Sequence, residues 1–249
     1  MLNIDCLTVP IDGRCIIENS SFQVPEGKIT SIIGESGSGK SMTVSAILGI
    51  MPPGAKVTGK VYFQGNDLIE LPMNELMAIR KNSIFTVFQD ATNSFNPTVK
   101  MEPQLYAFSG ERKEDTLSHF RLKMERILQS LGLDVTILEQ YPFELSGGML
   151  QRCMNACALY VEPDLLIADE PTSSLDKVLQ KEFIGLLKQL NEEKGTTVLL
   201  ITHDLDIVVD AAHEVVVMYG GKVVETGSVT ETITSPKHSY TKLLLASRF

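Results

Sequence analysis

An eight-residue segment in the first fifth of the chain combines glycines, a lysine and a serine at a spacing suited to holding phosphate groups. It fits the pattern G-x-x-x-x-G-K-[ST] and consists of Gly34, Glu35, Ser36, Gly37, Ser38, Gly39, Lys40 and Ser41. Glycines let the backbone wrap a phosphate chain with its N–H groups facing inward. The lysine adds a positive charge at the β- and γ-phosphates, and the serine hydroxyl is a ligand for Mg²⁺. We call Gly34–Ser41 the phosphate loop.

A second segment, Leu145–Arg152, has the sequence Leu-Ser-Gly-Gly-Met-Leu-Gln-Arg and stands just before a helical pattern. Backbone N–H groups of Ser146, Gly147 and Gly148 at the start of a helix can also face an anion. Since the phosphate loop is already a complete site, the presence of a second phosphate-binding segment needs a separate explanation.

Two adjacent carboxylates, Asp169 and Glu170, follow the apolar run 165–168, which predicts a short buried strand. The carboxyl end of such a strand delivers both side chains to the edge of a parallel sheet, beside the phosphate loop. Asp169 is suited to hold Mg²⁺ through water, and Glu170 to accept a proton from the attacking water. A solvated acidic pair is the alternative, but it does not explain why both residues follow a buried strand.

Polar side chains also end two further predicted strands. His203 follows the apolar run 198–202, where its imidazole is suited to hydrogen-bond the γ-phosphate and the nucleophilic water. Gln89 ends the run 84–88, where its amide is suited to ligate Mg²⁺ or the water. Each has a structural alternative, since lone histidines are commonly structural and polar residues commonly leave strands. His203 ends the core strand next along the chain after the one that carries Asp169, and this position favours a functional role. Gln89 stands at the predicted boundary between the core and the helical insert, which also favours a functional role.

The elements that must position these residues alternate between strands and helices, which indicates an α/β fold with a largely parallel sheet covered on both faces. The first 35 residues are rich in short β-forming runs. Apolar residues at helical spacing between 117 and 131, with Gly132 as the stop, predict a helical insert over 91–155. The other predicted elements are a helix over 42–50, strands at 61–63, 84–88, 165–168 and 198–202, a helix over 178–190 with Gly195 beyond its end, and a hairpin around Gly220-Gly221.

Composition limits the classes of partner. The 249 residues carry a formal net charge of −9 with no basic run, which argues against nucleic acid. The N-terminus lacks the pattern of a signal peptide, and no apolar stretch approaches the length of a membrane span. We therefore expect a cytosolic protein that docks on a membrane through a partner. Cys153 and Cys157 share a predicted helix, and we expect packed, reduced thiols rather than metal ligands.

Together these residues resemble the ATP-binding subunits of ABC transporters, over essentially the whole chain. The corresponding motifs are the phosphate loop, Gln89 of the Q-loop, the signature segment Leu145–Met149, Asp169-Glu170 as Walker B with the catalytic glutamate, the D-loop Ser174-Leu175-Asp176 and the switch histidine His203. The resemblance implies a single P-loop NTPase (RecA-like) domain over 1–249. Its core, 1–90 and 156–249, includes an N-terminal antiparallel β subdomain, and the helical subdomain over 91–155 is inserted.

The family resemblance also explains the second phosphate segment. Two such subunits pair head to tail, so that Ser146, Gly147 and Gly148 of one cap the ATP held with Mg²⁺ by the phosphate loop of the other. It implies an ATPase at the cytoplasmic face of the membrane, working with two membrane permease subunits and an extracellular solute-binding protein. A heterodimer with a similar subunit is expected, and a homodimer is chemically possible. The family commonly stacks adenine on an aromatic residue near the start, but that position falls near Ile11, and 9–14 contains no aromatic. Ile11 is therefore expected to pack against the base without ring stacking.

A narrower resemblance is to the importers of peptides and nickel, carried by Gln89–Pro97 and Ser235–Leu244. Tyr141–Arg152 is most similar to the D-type ATP-binding subunit of a nickel importer. Many peptide-importing relatives carry a cysteine cluster after the C-terminal motif, and here no cysteine follows Cys157. The sequence therefore predicts nickel or a chelated transition metal as cargo, with oligopeptides or dipeptides as the alternative. A small-molecule kinase and a DNA-repair or ribosome-associated ATPase are rival functions, which the signature segment and the acidic charge disfavour.

Overall fold

The computed structural model describes residues 1–89, 91–173 and 175–246, together with every side chain of these except that of Arg112. Asp90 of the segment after the Q-loop and Ser174 of the D-loop lie outside the described residues. The chain divides into two compact units. The first comprises Met1–Arg80 and Thr197–Phe249, and the second comprises Lys81–Thr196.

Strands and helices alternate along much of the chain. The strands are β1 (Leu2–Ile11), β2 (Arg14–Val24), β3 (Ile29–Ile33), β4 (Thr58–Phe63), β5 (Asn66–Asp67), β6 (Ile84–Val87), β7 (Leu165–Asp169), β8 (Thr197–Ile201), β9 (Glu214–Tyr219) and β10 (Lys222–Ser228). The α-helices are α1 (Lys40–Leu48), α2 (Met73–Asn82), α3 (Met101–Leu105), α4 (Leu117–Ser130), α5 (Gly147–Val161), α6 (Lys177–Lys194), α7 (Leu205–Ala211), α8 (Val229–Thr234) and α9 (Ser239–Ala246). A π-helical turn, Tyr106–Gly110, follows α3.

Two sheets form the framework of the first unit. One is antiparallel, in the order β2-β1-β4-β5. In the other, β3 lies between β8 and β9 and is parallel to both, while β10 pairs antiparallel with β9 at the edge. All five residues of β3 and of β8 are buried, as expected of parallel strands covered on both faces.

The second unit is mostly helical and contains one parallel strand pair, β6 with β7. Helix α4 buries Phe120, Met124 and Leu128, which recur at helical spacing along one face. The Phe120 ring packs against the Tyr160 ring of α5, with 5.2 Å between the centroids. This ring contact joins α4 to α5.

Most elements predicted from the sequence are confirmed. Gly132, with a φ of 65°, follows the end of α4, and Gly195, with a φ of 71°, caps α6. Tyr219 pairs with Lys222 across Gly220-Gly221, as a hairpin requires.

Cys153 and Cys157 are buried free thiols, and burial raises the pKa of both. Within the described residues, no helix combines the length and the apolar character that a membrane crossing requires.

Candidate functional site

The phosphate loop leaves the carboxyl end of the buried strand β3 and leads directly into α1. Gly39 precedes the helix with a φ of 100° and makes no side-chain cap, so the first N–H groups of α1 are not satisfied by a capping side chain. A Cβ at Gly37, where φ is 81°, would meet nothing within 4 Å. A helix N-terminus reached through an open glycine turn is an anion-binding geometry.

The lysine of the loop is folded over its own backbone. Lys40 Nζ donates hydrogen bonds to the carbonyl oxygens of Gly34 and Glu35, both at 2.9 Å. Ser38 is almost completely buried, whereas Ser41 is exposed on the first turn of α1. The ammonium group of Lys40 therefore lies over the start of the loop, and Ser41 is accessible at its end, at the first turn of α1.

Gly34 is the tightest position of the loop. A Cβ there would lie 2.1 Å from the backbone oxygen of Met218 on β9, and φ is 152°. We expect Gly34→Ala to lower the free energy of unfolding by about 3 kcal/mol or more, because backbone and not a mobile side chain blocks the new methyl group. Urea unfolding measures the change. The control is Gly185→Ala in the exposed middle of α6, where nothing lies within 4 Å and we expect a gain of about 0.5–1 kcal/mol. An unchanged unfolding midpoint for Gly34→Ala would contradict the geometry.

Strand register brings His203 to the same sheet edge as the phosphate loop. Ile32 of β3 pairs with Ile201 of β8 in parallel register, so Gly34 and His203 each follow that pair by two residues. The imidazole is exposed, and the next residue, Asp204, caps α7 by accepting a hydrogen bond from the Asp206 N–H at 2.9 Å. The cap fixes the backbone just after His203.

The second unit shows a parallel arrangement for the other predicted catalytic residues. Val87 of β6 pairs with Ala168 of β7, so Gln89 and Glu170 both follow that pair by two residues at one edge. Asp169 and Glu170 are buried, whereas Gln89 is exposed. Glu170 has a φ of 48°, a left-handed conformation that a non-glycine residue adopts at a cost of about 1–3 kcal/mol and that clusters at active sites.

The donor set fits the predicted metal. Ser41, Gln89 and Asp169 offer hydroxyl, amide and carboxylate oxygens, which are the ligands that Mg²⁺ prefers. Such a site holds the ion through few protein ligands, with water and phosphate oxygens as the others. The assignment of these three residues to one ion is a proposal based on the family's motifs.

The signature segment begins α5. Ser146 is the N-cap, and its Oγ accepts a hydrogen bond from the Met149 N–H at 3.3 Å. The hydroxyl proton stays available for an external acceptor, and a Cβ at Gly147 would meet only Thr92 Oγ1, at 3.8 Å. Ser146 and Gly147 are exposed. An exposed N-terminus on a 15-residue helix is suited to contact an anion on another molecule.

Two residues to which sequence patterns assigned no role connect the signature helix to the segments that follow β6 and β7 in the same unit. Gln151 Nε2 donates to the carbonyl oxygen of Phe88, next to Gln89, at 3.3 Å. Asn155 Nδ2 donates to the carbonyl oxygen of Pro171, next to Glu170, at 3.4 Å. Both side chains are buried, and their i,i+4 spacing on a largely apolar helix was the available signal.

Two other predicted residues take clear structural positions. Asp176 caps α6, because its carboxylate accepts hydrogen bonds from the N–H groups of Val178 at 2.9 Å and Leu179 at 3.0 Å. Ile11 ends β1, pairs with Arg14 across the Asp12-Gly13 turn and is half-buried. Contact of either residue with a nucleotide stays a prediction.

Comparisons with known proteins agree with the motifs. The ABC transporter family model matches residues 17–173. The chain is 40% identical to the oligopeptide transport ATP-binding protein OppD of Bacillus subtilis over 93% of its own length and 66% of that protein's. It is also 40% identical to the dipeptide transport ATP-binding protein DppD of the same organism, over 93% of the chain and 70% of that protein. The chain thus spans about two thirds of the length of these curated relatives.

A solved structure shows the same fold. It is the dimeric post-hydrolysis state of the ATP-binding cassette MJ0796 bound to ADP and phosphate, with a TM-score of 0.77 and 27% identity. The match covers 92% of this chain and 99% of that one. Together with the family model and the 40% identity to DppD, it shows that the chain belongs to the ABC transporter family and has the fold of its ATPase cassette.

Proposed function

We propose that the chain binds and hydrolyses ATP as one of a pair of subunits that power a membrane importer of peptides. The observation that carries the proposal is the phosphate loop: an open glycine turn between a buried strand and a helix N-terminus, with Lys40 at its backbone. Membership of the ABC transporter family supports roles in ATP hydrolysis for Asp169, Glu170 and His203.

In this proposal, the N–H groups of the phosphate loop and of α1 hold the phosphates, and Lys40 turns from the loop carbonyls to the β- and γ-phosphates. Ser41, Gln89 and Asp169 would hold Mg²⁺, which would supply positive charge to neutralise the phosphates. Glu170 accepts the proton of the attacking water, and His203 hydrogen-bonds the γ-phosphate and orients that water.

The exposed signature segment supports pairing. We assign Ser146, Gly147 and Gly148 to the nucleotide held by the phosphate loop of the second subunit. The similar ATP-binding cassette MJ0796 is dimeric in its solved post-hydrolysis state. A heterodimer with a similar subunit is proposed, and a homodimer has the required chemistry because this chain has half of each site. The membrane permeases and the extracellular solute-binding protein follow from the family role, as does a position at the cytoplasmic face of the membrane.

The cargo proposal changes with the comparisons. The sequence favoured nickel or a chelated metal, whereas the relatives reported above are described as transporting oligopeptides and dipeptides. We therefore propose peptides as the cargo, which was the alternative, and nickel is not supported by these relatives. Cargo is selected outside this subunit, so the proposal rests on the relatives and on the segment Ser235–Leu244 that resembles their C-terminal motif.

Uptake measurements test the cargo. Cells that produce all the other subunits of the importer, either with or without this chain, receive a labelled dipeptide, a labelled oligopeptide or radioactive nickel. We expect chain-dependent, ATP-dependent uptake of at least one peptide. Cells that carry Lys40→Ala provide the control for uptake that does not need the phosphate loop. Chain-dependent uptake of nickel with no uptake of either peptide would overturn the peptide assignment.

A further inference from the structure

The C-terminal helix α9 contacts the phosphate loop. The hydroxyl of Tyr240 accepts a hydrogen bond from the backbone N–H of Glu35 at 2.8 Å. Glu35 is the first loop residue after Gly34, and it is separated from Tyr240 by 205 positions in the sequence. Both residues belong to the first compact unit. Helix α9 therefore holds the first residues of the phosphate loop through this hydrogen bond.

The ring of Tyr240 is itself fixed by a stacked neighbour. It lies over the ring of Tyr219, with 4.2 Å between centroids and 26° between planes. Register explains the position, because Ile33 pairs with Val217 and Tyr219 therefore stands alongside Glu35. Tyr240 also packs against the buried apolar cluster of this unit, which comprises Ile33, Leu205, Val208, Val215, Val217 and Val229.

A carboxylate fixes the point at which the C-terminal segment turns toward the loop. Glu225 of β10 accepts hydrogen bonds from the N–H groups of Lys237 at 2.8 Å and His238 at 2.9 Å, one with each oxygen. Helix α9 begins at the next residue, Ser239. Because one side chain binds two successive backbone groups, it restricts the backbone just before Tyr240.

We propose that Tyr240 is a positioning residue of the ATP site, held in place by Tyr219 and Glu225, that fixes the first peptide of the phosphate loop in its binding conformation. This inference rests on the proposed binding of ATP by the loop. Part of the cost of binding is the ordering of flexible groups, and a loop that is held beforehand avoids that cost. Burial raises the pKa of the Tyr240 phenol, so the hydroxyl stays neutral at physiological pH.

Tyr240→Phe tests the role, since it keeps the ring and removes only the hydroxyl. We expect the affinity of the full chain for ATP, measured by equilibrium binding, to fall about two- to tenfold, as the loss of one hydrogen bond implies. In the active pair, we expect KM for ATP to rise by the same factor and kcat to stay within about twofold. Tyr219→Phe is the matched control. It keeps the ring that stacks on Tyr240 and removes a hydroxyl that, among the described residues, makes no hydrogen bond to the loop, and we expect unchanged affinity.

A second variant tests the carboxylate of Glu225, which restricts the backbone just before Tyr240. Glu225→Ala removes the acceptor of two N–H groups, and we expect it to weaken ATP binding in the same direction. Combined with Tyr240→Phe, it should lower affinity by less than the product of the two separate effects, because both act through one contact.

The outcomes separate this inference from the proposed function. A wild-type chain that binds no ATP would overturn the proposed function and this inference with it. Wild-type binding together with an unchanged affinity in Tyr240→Phe would overturn the inference alone. An equal loss in Tyr219→Phe, or multiplicative effects of the two variants, would also overturn it.

Discussion

Glu170→Gln is expected to bind ATP, to hydrolyse it about 10²- to 10⁴-fold more slowly than the wild type, and to accumulate as a closed, ATP-bound pair. The amide has nearly the shape of the carboxylate but does not accept the proton of the attacking water. Glu170 is buried, directly follows β7 and has a left-handed backbone, a costly conformation that clusters at active sites. Single-turnover hydrolysis measures the rate, and light scattering in ATP measures the pair.

Glu182→Gln on the exposed face of α6 makes the same chemical change at a solvated site, and we expect it to leave hydrolysis unchanged. Turnover by Glu170→Gln at the wild-type rate would remove Glu170 from the role of base. Loss of ATP binding in that variant would show instead that the carboxylate supports the nucleotide rather than the reaction.

Ser146→Arg is expected to slow hydrolysis by about 10²-fold at the nucleotide held by the second subunit, and much less at the nucleotide held by this chain's own loop. The substitution removes the cap of α5 and places a bulky cation at the helix N-terminus where the phosphate of the other subunit is proposed to sit. Ser146→Ala is the control for the cap, whose loss costs about 1 kcal/mol of stability without adding bulk.

The two nucleotides are separated by inactivating one phosphate loop at a time. In a pair whose second subunit has a disabled loop, only Gly34–Ser41 of this chain is active, and Ser146→Arg should leave most of the activity. In a pair with Lys40→Ala in this chain, only the other loop is active, and Ser146→Arg should remove it. Equal damage in both pairs would count against the arrangement in which the signature segment serves the neighbouring subunit.

Local patterns were sufficient to predict the parts of the site that lie at strand ends. Asp169, Glu170 and His203 each follow an apolar run, and parallel register then determines which residues share an edge. The first two strands were harder, because Cys6 and Asn19 adopt left-handed backbone conformations and shift the register of β1 and β2. These bulges interrupt the alternation of inward- and outward-facing residues along β1 and β2. The sequence of each long strand therefore shows only short β-forming runs.

Contacts between distant segments were not predictable in the same way. The hydrogen bond from Glu35 to Tyr240 joins residues 205 positions apart, and nothing in the local pattern of either segment indicates it. Gln151 and Asn155 are similar: their buried amides are visible as polar residues on an apolar helix, but their acceptors are backbone oxygens of Phe88 and Pro171. Backbone acceptors have no signal in the sequence, because every residue carries one.

Hydrolysis of ATP by this chain as one of a pair is tested by the ATPase rate of the purified chain, measured alone and with increasing amounts of its second subunit. We predict ATP binding but little hydrolysis by the monomer, and a rate that rises until the subunits reach a one-to-one ratio. A full rate per chain, at concentrations where sedimentation shows only monomer, would contradict it.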